Sequence, residues 1–313
     1  MINLRKKNQN GVYLCCSLLL GFIFTSELRA EPMNDIRYLA SFKTTRAACM
    51  VRVNDFPMID NFSYSSGSIS TGFNITAFAE NGKNKIEVLM GALDPEDKST
   101  LYPDAKCELV ITADTENTSQ QITRITLSVD KQGEIISSDS SNYNNTQKEP
   151  RIDETQLAED QPLRLHRVGR DVNLTNIPTW SWVNATPVSE KAIPKIQEVY
   201  RVIWNTMKAR NIDLMKEMAT ISSTEMAITE GMTPDDIFKS YGLPENVMNS
   251  ELSPINFNLS DYKLMTYCNG RVFRLAQGID QNSPLRLQDK DGEIVFAYNP
   301  YFSIIKGKIF IIR

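Results

Sequence analysis

Residues 137–162 read SSDSSNYNNTQKEPRIDETQLAEDQP, a stretch nearly free of large apolar side chains. Such a segment cannot bury enough surface to offset its ordering entropy, and it reads as a linker or exposed loop. It separates two texts of different hydrophobic period. From Ala47 to Asp130 the runs CMVRVND, SISTGFNITAFAE, NKIEVLMG, KCELVITAD and QITRITLSVD are rich in Val, Ile, Thr and Phe, with partial alternation. That is strand patterning. Asn81-Gly82 within FAENGKNKIEV predicts a hairpin turn, because both residues accept the positive φ angles such a turn needs. Five or more antiparallel strands in a segment this short predict a small β-sandwich.

After the polar stretch the period becomes helical. In PKIQEVYRVIWNTMKARNIDLMKEM the residues Ile196, Val199, Tyr200, Ile203 and Met207 fall on one apolar stripe. Asn211 can cap a restarted helix carrying Leu214, Met215 and Met218. Ser222 and Glu225 have capping-box spacing, and Thr233-Pro234-Asp235-Asp236 supplies a cap, a first-turn proline and first-turn acids. The period then returns to strands, with turn signals at Asn269-Gly270, Asp291-Gly292 and Lys306-Gly307 predicting an antiparallel meander. The fold class expected is α+β: an N-terminal all-β sandwich over residues 31–136, a linker over 137–170, and an α+β domain over 171–313 with helices packed on a curved antiparallel sheet.

One apolar run remains outside this scheme. Arg5, Lys6 and Lys7 precede thirteen mostly apolar residues from Val12 to Phe24, and a polar stretch follows that ends in Ala30. This order is that of a secretory signal peptide. Thirteen helical residues rise only about 20 Å, short of the roughly 30 Å hydrocarbon core, so a permanent anchor is the weaker reading. Cleavage is expected after Ala30, removing Cys15 and Cys16 and giving a periplasmic or secreted protein with no membrane insertion afterwards. Without residues 1–30 the chain holds 30 Lys and Arg against 37 Asp and Glu, a balance of −7. Nucleic acid is a poor partner for such a surface.

Export implies an oxidising compartment, where Cys49 and Cys107 are expected to bridge, with two buried thiols as the alternative; Cys268 is left over. His166 is the single histidine. It lies among basic neighbours in PLRLHRVGR and reads as a solvated linker residue, so hydrolytic dyads and zinc sites of the usual ligand sets lack their parts. No catalytic residue, metal site or cofactor is therefore expected.

The second half, roughly residues 190–313, resembles the cone-shaped fold of the nuclear-transport-factor-like superfamily. The long helix VYRVIWNTMKARNIDLMKEM, broken by a short polar step, and the terminal strands carry the likeness. Enzymes of that superfamily place acidic or histidine side chains inside the cone, and this half has no histidine. The resemblance implies binding or structural use. The layout as a whole is also similar to the exported immunity partners of antibacterial toxins of Gram-negative bacteria, often acidic and signal-bearing. That likeness implies a non-enzymatic protein neutralising a toxin by protein–protein binding. An envelope module binding a small ligand or glycan is the alternative.

Candidate sites follow. Asp235 and Asp236 read as helix-start chemistry rather than paired catalytic carboxylates, and DKDGE (289–293) reads as a hairpin turn rather than a calcium loop. Met207, Met215, Met218 and Met226 read as helix core. Trp180 and Trp182 in IPTWSWVN alternate, so in an extended segment both would face one way; they could plug a core or anchor a partner. With Glu190 and Glu198 beside them, they are the partner-binding residues expected.

Overall fold

A computed structural model describes residues 36–142, 151–152, 161–279 and 281–313. The expected signal peptide with its cleavage point, and most of the polar stretch, lie outside these residues. The first half consists of β1 (Arg37–Thr45), β2 (Ala48–Val53), β3 (Phe56–Asp60), β4 (Ser70–Asn74), β5 (Gly82–Gly91), β6 (Lys106–Asp114), β7 (Ser119–Val129), β8 (Ile135–Asn142), β9 (Arg151–Ile152) and β10 (His166–Leu174). They form two five-stranded sheets, ordered β4-β1-β6-β7-β8 and β3-β2-β5-β10-β9, antiparallel throughout. In β1 the alternation Tyr38, Ala40, Phe42, Thr44 is buried and the residues between are more exposed. That is the period-2 signature of a strand with one wet face. Cys49 of β2 and Cys107 of β6, both fully buried, are disulfide-bonded with Cα atoms 6.1 Å apart, which ties one sheet to the other.

The second half opens with α1 (Ile193–Lys208), α2 (Ile212–Met218), α3 (Thr220–Glu230), α4 (Pro234–Ser240) and α5 (Leu243–Met248). It continues with β11 (Ser253–Pro254), β12 (Lys263–Tyr267), β13 (Val272–Ala276), β14 (Arg286–Gln288), β15 (Ile294–Ala297), β16 (Phe302–Ile305) and β17 (Lys308–Ile311). The fold is thus mixed, with several antiparallel sheets and the helices in the C-terminal half. No helix among the described residues is long and apolar enough to cross a membrane. The helix break falls where the sequence places it: the Asn211 side chain accepts from the Leu214 amide at 3.0 Å and starts α2. Thr233 likewise accepts from the Asp236 amide at 3.2 Å ahead of Pro234.

Several expectations are corrected. Among the described residues, both ends of the stretch expected as a linker, 137–170, run into strands: β8 pairs with β7, and β10 pairs along its whole length with β5, from His166 opposite Met90 to Leu174 opposite Gly82. A ladder of main-chain hydrogen bonds is indifferent to side-chain polarity, so composition hid β8. In β10 the core-facing series Val168, Val172, Leu174 is interrupted by Arg170, only 1% exposed, whose guanidinium donates to Thr123 Oγ1 (3.0 Å) and the Arg124 carbonyl (3.2 Å). His166 is therefore a half-buried strand residue rather than a solvated linker one.

Asn81-Gly82 makes no hairpin, because the Asn81 side chain is drawn into a two-way bond with Ile177, accepting from its amide at 2.9 Å and donating to its carbonyl at 2.5 Å. Ser222 caps nothing; it lies inside α3, bonded to the Tyr241 hydroxyl at 2.8 Å. The three C-terminal hairpins exist, but on two sheets: β12-β13-β16-β17 in one and β11-β14-β15 in the other. The helical core is built from the second half alone, but the core between the two large sheets draws on both halves. Tyr267, Cys268, Val272 and Ile312 belong to the core between the two large sheets. Phe273 and Leu275 belong to the helical core, which leaves β13 buried on both faces.

Candidate ligand-binding groove

Trp180 and Trp182 lie inside the protein, 2% and 0% exposed, because residues 180–185 turn instead of extending. The Trp180 indole donates to the carbonyls of Thr76 (3.2 Å) and Ala79 (2.9 Å). An arginine stands over each ring at 5.3 Å: Arg313, paired with Glu225, over Trp180, and Arg271, paired with Glu80, over Trp182. Arg271 makes a two-pronged contact with Glu80 at 2.5 and 2.9 Å and also donates to the Val183 carbonyl at 2.8 Å. These tryptophans weld the two halves of the chain and present no surface, so the expected partner-binding set is not assembled. Glu190 is exposed on a short 3-10 turn, and Glu198 is exposed on α1, 3.5 Å from Arg201.

The other residues singled out in the sequence take the following places. The Lys216 ammonium, 2.8 Å away, donates to Asp235 and holds its carboxyl below the usual carboxylate range. Asp289 accepts from the amides of Asp291 and Glu293 at 2.9 Å each, closing the β14–β15 hairpin. Met207 and Met215 are core, while Met218 and Met226 are half-buried. Burial pushes the Cys268 thiol well above its ordinary range, and its sulfur lies 3.8 Å from the Asn54 carbonyl.

A site that the sequence did not announce lies on the outer side of α1. The helix commits Ile196, Tyr200, Ile203 and Met207 to the core, which leaves Gln197, Arg201 and Asn205 one above another on the flank. That spacing of four residues keeps them on one line. Trp204 sits at the border between stripe and flank, and its indole N–H donates to the Ile255 carbonyl at 2.8 Å. This bond fixes the ring against the segment that leaves β11.

That segment, residues 255–260, forms the opposite wall with Asn256, Phe257, Asn258 and Ser260. It is held at three points. The Ile255 amide donates to the Arg286 carbonyl at 3.0 Å, the Asn258 side chain accepts from the Ser260 amide at 3.3 Å, and Leu259 is buried in the helical core. Upstream, Arg210 donates to the carbonyls of Val247, Asn249 and Leu252, fastening the chain that leads into the wall. Phe257 stands edge-on to Trp204, ring centres 6.3 Å apart at 90°, and the Lys208 ammonium lies 4.9 Å above the Trp204 ring.

The groove between the walls has a volume of about 560 Å³, within the usual range of ligand pockets. Its walls carry amides, two aromatic rings and one arginine, and no carboxylate. Among the described residues no group of three or more His, Cys, Asp or Glu side chains could hold a metal ion. The walls offer rings for stacking and amide donors and acceptors for hydrogen bonding.

Trp204 carried a faint signal in the sequence, an aromatic at the edge of the apolar stripe between Arg201 and Lys208. The wall from Asn256 to Ser260 carried none, being irregular. No known protein family, curated protein or solved structure matches this chain.

Proposed function

We propose that this chain is an exported, non-enzymatic binding protein of the cell envelope and that its working surface is the groove between α1 and residues 255–260. The observation that carries the reading is a volume of about 560 Å³ bounded by a pinned tryptophan and a facing aromatic, with polar groups converging on it. The disulfide between Cys49 and Cys107 supports export, since such bonds persist in oxidising compartments. In this reading the two large sheets are a β-sandwich serving as the scaffold; alternate residues of both meet in one core, which favours it.

Neutralisation of a toxin by protein–protein contact is the competing proposal. It loses Trp180 and Trp182 to the interior and keeps only Glu190 and Glu198 of its expected contacts.

The test exploits the tryptophan census. Of three tryptophans, Trp204 alone is not fully buried, so emission changes report on the groove. Titration with a low-molecular-mass extract of the producing cell's envelope is expected to shift the emission of the intact protein, and Trp204→Phe, which also gives up the indole bond to the Ile255 carbonyl, is expected to abolish the shift at a small cost in melting temperature. No shift, or one that survives in Trp204→Phe, would sink the groove reading.

A further inference from the structure

We infer that the ligand of the α1 groove is a neutral carbohydrate chain of at least two rings; this inference rests on the groove reading above. Three features of the walls converge on that class.

The first is the balance of donors and acceptors. Gln197 and Asn205 on the helix face Asn256 on the loop, and each of these amides offers two N–H donors and a carbonyl acceptor, while the Asn258 amide is engaged by the Ser260 amide and Asp261. A hydroxyl is likewise donor and acceptor at once, so a row of amides matches a row of hydroxyls. A carboxylate or phosphate only accepts, which would leave the amide oxygens unserved.

The second is charge. Arg201 is the one charged residue of the lining, and its side chain is 55% exposed, 3.5 Å from Glu198. An anionic ligand would meet only cations that water already screens, Arg201 and the neighbouring Lys208, and a cationic ligand would find no carboxylate within the walls. Neither sign of charge is selected, which favours a neutral ligand.

The third is shape. A sugar ring has apolar C–H faces and a polar rim, and the groove offers the rings of Trp204 and Phe257 between its amides. An apolar peptide would require an aliphatic lining, and Leu259 alone supplies one, already buried in the core. From Gln197 to Asn205 the polar line runs eight residues along the helix, about 12 Å at the helical rise. That length suits a chain and exceeds a single ring. Lys208 stands over Trp204 as an exposed side chain on a flexible stem, which a stacking ring can displace.

The experiment titrates the intact protein with defined probes, read by Trp204 emission and by calorimetry. The probes are mono-, tri- and hexasaccharides of glucose, galactose and N-acetylglucosamine, oligogalacturonate as the acidic sugar, adenosine monophosphate and a leucine tripeptide. At least one neutral trisaccharide is expected to shift the emission and to bind at least tenfold tighter than its monosaccharide. Asn205→Leu and Asn256→Leu are each expected to weaken that binding at least tenfold with the melting temperature retained. Should either variant misfold, Asn205→Gln serves in its place and is expected to weaken binding while the fold persists.

Preference for oligogalacturonate, the nucleotide or the peptide would overturn the carbohydrate class and leave the groove reading standing. A response to the envelope extract but to no probe would do the same. Silence toward both probes and extract would overturn both readings.

Discussion

Arg313 and Glu225 meet at 2.5 Å with side chains 2% and 13% exposed, whereas Arg201 and Glu198 meet at 3.5 Å with 55% and 66% exposed. Water screens the second pair and not the first. Glu225→Gln is therefore expected to cost about 3 kcal/mol, because it strands a buried guanidinium. Glu198→Gln is expected to change stability by less than about 0.5 kcal/mol. Urea denaturation of both variants checks the contrast, and equal losses would contradict it. Cys268 gives a second expectation. With its thiol buried and pushed upward, the chain from residue 31 onward should react with no thiol reagent at pH 8 while folded and with one equivalent when unfolded under non-reducing conditions. At this scale the sequence supports the Cys49–Cys107 pairing from compartment and strand context, and the structure carries that bond. The opposite happened at Trp180, whose anchors Thr76 and Ala79 lie 104 and 101 residues away; a side chain's fate is illegible when its partners are that remote.

Elements were legible where local rules dominate. The α1–α2 break combines an apolar stripe with a capping side chain, both readable within a few residues. Asn211→Ala is expected to lower stability by about 1 kcal/mol through the lost cap on the Leu214 amide, with Asn211→Asp retaining most of it; thermal melts of the two variants separate cap from side-chain size. Elements were illegible where long-range pairing decides. The strand β8, with the sequence IISSDSSN, is held by its ladder to β7, and β10 has a buried arginine in the middle of its apolar face. The groove falls between these cases: its helical wall could be drawn from periodicity, but the facing wall is positioned by Trp204, Arg286 and Arg210 acting on main-chain carbonyls and amides.

At the scale of the molecule, the two halves are joined by the Arg271–Glu80 fork, by the bonds of Arg313 to the Ala77 carbonyl, and by the insertion of Tyr267, Val272 and Ile312 into the core between the large sheets. Calorimetry is therefore expected to show one unfolding transition, and two well-separated ones would contradict the weld. A fragment ending at residue 179 should lack fixed near-ultraviolet dichroism. Replacing Cys49 and Cys107 together by alanine should lower that single transition, at a cost of roughly 4 kcal/mol for a 58-residue loop. The double burial of β13 has a further consequence, for descent. A change at Val272 or Phe273 is judged at once by two interiors, so compensating replacements must arise on both sides of one strand. Neither half can be lent to another gene without exposing the hole its neighbour filled, and the lineage of this chain should show drift in its outer loops but inheritance of the pair as a single piece.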